Sequence, residues 1–411
     1  MAKIKTQPEL RFAGFTEDWE EIKLSEIADI IGGGTPSTAI AEYWNGNIDW
    51  YSPTEIGEKV YANGSVKKIT QLGLESSSAK ILPANRTILF TSRAGIGDMA
   101  ILAKEGATNQ GFQSLVLKKG FHTYFIYSAN EIIKKYALSK ASGSTFLEIS
   151  SKVLGNMDLL VPEFSEQKLI GNFFENIDNL ITEHQQKHSK LKALKQAMLD
   201  KMFPKHGQVV PEIRFKGFKG DWENPTLGNI GDPFTGLSGK TKNDFGHGEG
   251  RYITYMNVFS NPISDLNMLE KIEIDSSQNQ VISGDVLFTV SSETAAEVGM
   301  SSVWTGNEKN VYLNSFCFGY RPKIKLDNYF LANLLRTKAL RLQMTLLAQG
   351  ISRYNISKNK VMNLKISLPE FDEQVVIGEY FKNVDLLINQ HSQQITKLTN
   401  LKKAFLAKMF I

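Results

Sequence analysis

The chain has 411 residues, of which 42% are hydrophobic and 22% charged, with a net charge of +4 and a pI near 8.7. That length is too great for one ordinary core and suits two or three domains, while the composition is that of a soluble globular protein. No apolar run reaches the roughly 18 residues needed to cross a bilayer, and the single cysteine, Cys317, can form neither an internal disulfide nor a zinc cage. A reducing, cytoplasmic setting is expected. The mild basicity permits nucleic-acid binding without demanding it.

The lysine-bearing start, Met1 to Gln7, lacks an apolar stretch with a cleavage site, so it does not read as a signal peptide. PELRFAGFTEDWEEIKL follows from Pro8 to Leu24 and is nearly restated as PEIRFKGFKGDWENPTL from Pro211 to Leu227. Between Ile30 and Ser142 the pattern predicts strands at IDWYSP, RTILFTS, MAILA and QSLVLKK, then a helix over YFIYSANEIIKKYALSKA. Between Gly231 and Gln349 it predicts strands at RYITYMNV, DVLFTV, MSSVWT and NSFCFGYRP, then one helix or two over DNYFLANLLRTKALRLQMTLLAQ. These two stretches share little beyond short echoes such as TILFTSRAG and DVLFTVSSE.

Each is followed by a shared tail. Val161 to Phe203 and Leu368 to Phe410 align without a gap, and Gly143, Ile149, Ser150 and Asn156 extend the register back to Gly350, Ile356, Ser357 and Asn363. In the first tail Ile170, Phe173, Ile177, Leu180, His184, Leu191, Leu194 and Met198 recur at three- and four-residue steps. Ile377, Tyr380, Val384, Leu387, His391, Leu398, Leu401 and Phe405 keep that phase in the second. Such a heptad pattern predicts two helices of about 37 residues, each about 55 Å long, with Ser165 and Asp372 as N-caps. A single-seam helix of that length is unstable alone, so the two should pair, antiparallel, with one module at each end. His184 and His188 have the spacing of a helical metal pair, but the second copy has Ile395 there and no third ligand, so a polar spot in the seam is the better reading.

The expected fold class is α+β: two pseudo-repeated mixed α/β domains separated by two long helices paired as an antiparallel coiled coil. The expected boundaries are 1–161 for the first lead-in and module, 162–204 for the first helical arm, 205–368 for the second lead-in and module, and 369–411 for the second arm. No catalytic chemistry is visible. GLSGKT (236–241) lacks the first glycine of a phosphate loop, GDPF (231–234) lacks a proline of an adenine methyltransferase motif, and GGGTPS (32–37) lacks the last glycine of a dinucleotide fingerprint.

What remains is binding by polar loops. The candidates in the first module are Gly33 and Thr35 of GGGTPS, Lys67 and Lys68, Ser92 and Arg93, and Gln110 and Gln113 beside Asn109. In the second they are Lys240 and Lys242, Arg251 and Tyr252, Ser291 and Ser292, and Arg353 and Tyr354. Arginine pairs with guanine and Asn or Gln with adenine in the major groove, while lysine holds phosphate. Phe12, Phe15, Trp19 and their counterparts Phe215, Phe218 and Trp222 read as anchors, with Arg11 and Arg214 reaching acidic groups.

At this point the chain resembles the specificity subunits of type I restriction–modification systems. The resemblance rests on the paired PEFSEQKLIGNFFENIDNLI and PEFDEQVVIGEYFKNVDLLI, and on GGGTPST, YWNGNIDWYSPTEI, TSRAGIG, TNQGFQS and GSTFLEIS in the first module. The second module departs from it, with TVSSETA for TSRAGIG and Asn314–Ser315 where the first has Gln113–Ser114. The resemblance implies that each divergent module is a target recognition domain for half of a bipartite site in double-stranded DNA, and that the helices set the spacer between the halves. It implies no cofactor in this chain, two modification subunits that carry S-adenosylmethionine and methylate adenine, restriction subunits that can join, no membrane contact and no catalysis by the chain itself. The alternative is a non-enzymatic scaffold whose two modules grip protein.

Overall fold

In the computed structural model of the protein the described residues are 6–93, 95–143 and 147–411. Ala94 of TSRAGIG, Ser144 to Phe146 of GSTFLEIS and the start before Thr6 lie outside them. The chain divides into two units. One comprises residues 1–185 and 393–411, the other 186–392, so each contains a module and half of each long helix.

In the first unit a five-stranded sheet runs in the order Ala28–Gly32, Gln113–Leu117, Thr87–Phe90, Met99–Leu102, Tyr61–Ala62. All neighbours are antiparallel except the last pair. Lys67–Ile69, Trp44–Tyr51 and Gly106–Thr108 form a second, three-stranded sheet. The Thr87–Phe90 and Met99–Leu102 strands are buried throughout, as their unbroken apolar runs require. Helices Thr123–Ser128 and Asn130–Lys140 bury Phe125, Ile126, Ile133 and Ala137 in the main core.

The second unit repeats this plan with a four-stranded sheet, Gly231–Thr235, Cys317–Pro322, Val286–Thr289, Ser301–Val303, and a three-stranded one, Leu269–Ile272, Phe245–Ile253, Val311–Leu313. The strand expected over RYITYMNV ends at Ile253. Thr254 then caps a short helix, Tyr255–Ser260, by accepting from the Asn257 N–H, so a cap overrides the β-branched run. GLSGKT leads only into a single 3-10 turn, Lys242–Asp244, not the helix of a phosphate loop. Cys317 is buried.

The long helices span Phe164–Lys201 and Phe371–Met409, each starting one residue before its expected cap. Their pairing is antiparallel within each unit. In the first, Phe173 meets Phe405 at 5.1 Å, and five residues on, Asp178 meets Lys402 at 2.7 Å, a step backwards on the partner. In the second, Lys195 meets Asp385 at 2.7 Å and Phe203 stacks on Phe381 at 5.8 Å.

The least exposed line of the first helix runs through Phe174, Ile177, Ile181, His184, His188, Leu191, Lys195, Met198 and Met202. The second runs through Phe381, Val384, Ile388, His391, Ile395, Leu398, Lys402, Phe405 and Met409. Both alternate steps of three and four, the seam of a coiled coil. Leu180, Leu194, Leu387 and Leu401, expected in the seam, are 40–45% exposed and lie off it. The seam accepts Lys195 in place of leucine because the Asp385 carboxylate lies opposite. Ile170, Phe173, Ile377 and Tyr380 pack into the cores at the helix starts.

The duplicated lead-in docks on these helices. The Leu10 N–H donates to the Lys408 carbonyl and the Ile213 N–H to the Lys201 carbonyl, each satisfying an open helix end. Arg11 grips Glu166 through Nε and Nη2 at 2.7 and 2.8 Å, and Arg214 grips Glu373 through the same atoms at 2.7 Å. Trp19 packs on Phe125 and Phe410, and Trp222 on Phe203 and Phe330. The Gln of each Glu-Gln pair turns back into the chain. Gln167 accepts from the His122 N–H and donates to the Pro162 carbonyl, and Gln374 does the same with Asp327 and Pro369. Gly171 and Gly378 admit the module's helix at this point, since a Cβ there would stand 2.3 Å from His122 Nδ1 and 2.0 Å from Asp327 Oδ1.

Candidate nucleic-acid interface

The candidate residues of each module fall into two groups. The first group sits on loops tied together by main-chain bonds. In the first module the Gly34 N–H donates to the Thr108 carbonyl at 2.9 Å, Ser92 to Gly111 at 2.8 Å and Ile149 to Ser92 at 3.1 Å. Four segments that are far apart in sequence thereby meet at one end of the sheets. Gly33 must be glycine here, because a Cβ would lie 2.0 Å from the Asn109 carbonyl. Thr35 donates to Gln110 across two of these loops, and both side chains are exposed. Asn109 Oδ1 accepts from the Gly111 N–H at 2.8 Å and fixes the turn between them. Arg93 is half-exposed and makes no ion pair with a described residue. Gln113 is half-buried with its Oε1 unpartnered, and Ser92 is wholly buried, so the structure puts the Ser92 hydroxyl out of reach of a ligand.

The second module repeats the tie with different side chains. Leu237 donates to Leu313 at 2.8 Å, Val290 to Phe316 at 3.0 Å and Ile356 to Val290 at 2.9 Å. Asn314 Oδ1 accepts from the Phe316 N–H at 2.8 Å, the same turn that Asn109 makes. Asn314–Ser315 therefore corresponds to Asn109–Gln110 and not to Gln113–Ser114, a match that only the shared hydrogen bond discloses. Ser291 and Ser292 pair with Asn355 and Tyr354 in a short antiparallel ladder. Both serines are buried, whereas Arg353 is exposed and Tyr354 half-exposed.

The second group lies on the three-stranded sheets or, for Lys240 and Lys242, on the segment that leads into one of them. Lys68 is bonded to Asp49 at 2.9 Å, and Lys67 stands 5.8 Å from the centroid of the Trp44 ring. Burial pushes the Asp49 carboxyl up, but the bonds from Lys68 and Ser65 outweigh it and leave it below its ordinary value. In the second module Lys240 pairs with Asp275 at 2.7 Å, and chiefly through that bond the Asp275 carboxyl falls far below the usual carboxylate range. Lys242 is exposed. Arg251 is half-buried, with Nη1 lacking a partner. Tyr252 is buried and donates to Glu270; burial first, then that bond, pushes its phenol up to about 12. It serves the sheet core rather than a ligand.

In the sequence Asn314 is matched to the wrong partner, and Phe316 and Ile351 are not singled out. The signal for the last was the register of Gly143, Ile149 and Ser150 with Gly350, Ile356 and Ser357, which marks one hairpin in both modules. Its neck is closed by mutual bonds between Ser142 and Glu148 in the first and between Gln349 and Asn355 in the second. Among the described residues no cluster of three or more His, Cys, Asp or Glu could hold a metal, and no helix is long and apolar enough to cross a membrane.

Comparison with known proteins agrees with this duplicated architecture. A family model described as "Type I restriction modification DNA specificity domain" matches residues 16–193 and again 219–400. The chain is similar to the type I restriction enzyme MjaIX specificity subunit of Methanocaldococcus jannaschii, 32% identical over 198 residues, spanning 46% of this chain and 45% of that one. It is 21% identical over 401 residues to the MjaVIII specificity subunit of the same organism, spanning 94% and 91%. Among solved structures, the type I restriction-modification S subunit from M. genitalium shares the fold, with a TM-score of 0.63 at 14% identity over 98% of this chain and 99% of that one.

Proposed function

The chain belongs to the family of type I restriction modification DNA specificity domains, matched in both halves, and from that premise we propose that it is a DNA-specificity subunit reading a bipartite target. The observation that carries this reading is the pair of loop ties: one main-chain frame, built twice, presenting two different sets of side chains. Each module reads one half-site through its tied loops, with Arg93 and Gln110 in the first and Arg353 in the second as base-edge candidates. Lys67 on one small sheet and Lys242 in the turn before the other hold phosphate. The paired helices set the unread spacer and dock two modification subunits, which carry S-adenosylmethionine and methylate adenine; restriction subunits join that assembly. The chain itself performs no catalysis.

Methylated-base sequencing in cells carrying this chain with its modification subunit tests the proposal. The expected result is a motif of two short halves around an unspecified gap, with Arg353→Ala altering or relaxing one half only. An undivided motif, or methylation by this chain alone, overturns it. In binding assays the assembled complex should lose affinity for its duplex steeply as salt rises. Salt-independent behaviour would favour the protein-gripping scaffold.

A further inference from the structure

The second module carries a tight hairpin with an apolar side chain, Ile351, at its tip and presented to solvent. The Gln349 N–H donates to the Asn355 carbonyl at 2.9 Å and the Asn355 N–H returns the bond at 2.8 Å, which closes the neck. Gly350 adopts φ +133°, and a Cβ there would stand 2.0 Å from the Arg353 carbonyl, so the turn is tight and demands glycine. Beyond it Ile351 is 95% exposed. A lone exposed aliphatic residue is ordinary. Its setting here is not. Ile356, at the base of the hairpin, is tied to Val290, and Val290 is tied to Phe316, a second large apolar side chain, 59% exposed. Arg353, also exposed, makes no hydrogen bond or ion pair with another described residue. Apolar groups and an uncommitted cation thus project from the loops that the proposed function assigns to DNA.

We infer that this hairpin is a base-contacting finger, in which Ile351 packs on the C5 methyl group of a thymine in the half-site read by the second module while Arg353 reaches the edge of a neighbouring base. The inference rests on the reading given under the proposed function. The ligand follows from chemistry. Thymine's methyl is the apolar group that base pairs present in the major groove, and the acceptors on a neighbouring guanine edge supply the partner that Arg353 lacks. Phe316 walls the contact from water on the neighbouring loop. The finger needs no side-chain hydrogen bond to keep its shape, so its tip is free to be apolar.

The test uses the assembled complex and its mapped duplex, with each thymine of that half-site replaced in turn by deoxyuridine. One replacement should weaken wild-type binding about fourfold, the worth of a single buried methyl group. The Ile351→Ala complex should bind the thymine and uracil duplexes equally, and Ile351→Val should keep part of the discrimination. A wild-type complex indifferent to every replacement overturns the inference. So do an Ile351→Ala complex that still discriminates, a half-site without an A·T pair, and an Ile351→Ala chain that fails to assemble with its modification subunit on size exclusion, which would make the tip a protein contact. A wild-type complex with no preference for its mapped duplex over an unrelated one would defeat the parent reading itself, a result distinct from these.

Discussion

Glu166 and Glu373 are carboxylates with essentially no exposure, each in the first turn of a long helix and each held in a two-bonded grip by an arginine of the lead-in phrase. A first-turn glutamate is legible in sequence as a partner for the helix dipole. Its burial is not, because the guanidinium that offsets the lost hydration stands 155 residues away. Removing one member of such a pair strands the other. Arg11→Met should lower stability by about 3–5 kcal/mol, whereas the double change Arg11→Met with Glu166→Leu should recover most of that loss. Denaturant titration of the three proteins checks this. Equal destabilisation by the single and double changes would show that the arginine acts through packing alone. The aromatic anchors were legible as such: Trp19 and Trp222 join the cores of their own units and also rest on Phe410 and Phe203 at the ends of the long helices.

At the scale of the element, the duplicated helices were read from their periodicity, and their lengths came out within a residue or two of the 38 and 39 found. The seam itself was read one position off at Leu180, Leu194, Leu387 and Leu401, while Leu191 and Leu398 lie in it as expected. Hydrophobic pattern alone ranks Leu194 above Lys195. The lysine wins the inward position because Asp385 lies across from it, and Lys402 and Asp178 repeat the arrangement in the other unit. These two pairs are equivalent in sequence but not in strength. Lys195 and Asp385 are 18% and 36% exposed, while Asp178 is 10% exposed and also accepts from the Tyr124 hydroxyl at 2.7 Å. Burial, then that bond, drives the Tyr124 phenol far above its usual value. Double-mutant cycles should therefore give a coupling of about 1 kcal/mol or less for Lys195 with Asp385. For Lys402 with Asp178 they should give about 2 kcal/mol, in the range of hydrogen bonds to charged groups. Thermal unfolding of the single and paired variants is the measurement, and equal couplings would remove the role assigned to Tyr124.

For the whole molecule, the duplication, the mixed modules and the long helices could be read from the chain, because repeats and periodicity are written locally. The candidate interface could be read only in part. Arg93, Gln110 and Arg353 are exposed or half-exposed, but Ser92, Ser291, Ser292 and Tyr252 are buried, since residue type says nothing about which loop another will cover. If the paired helices set the spacer, seven residues inserted after Gln185 and seven after Ser392 keep the seam in phase and add about 10 Å of helix. The methylated motif should then keep both halves and widen its gap by about three base pairs, a change that base-resolution sequencing reads directly. The loop ties bear on how such a protein can change its vocabulary. The bonds that join one loop to another run between peptide groups, so the exposed tip residues other than Gly33, Gly350, Asn109 and Asn314 are not required to keep the frame upright. Mutation can rewrite the exposed letters while the page that holds them stays flat, and new recognition can arise without first surviving a loss of folding.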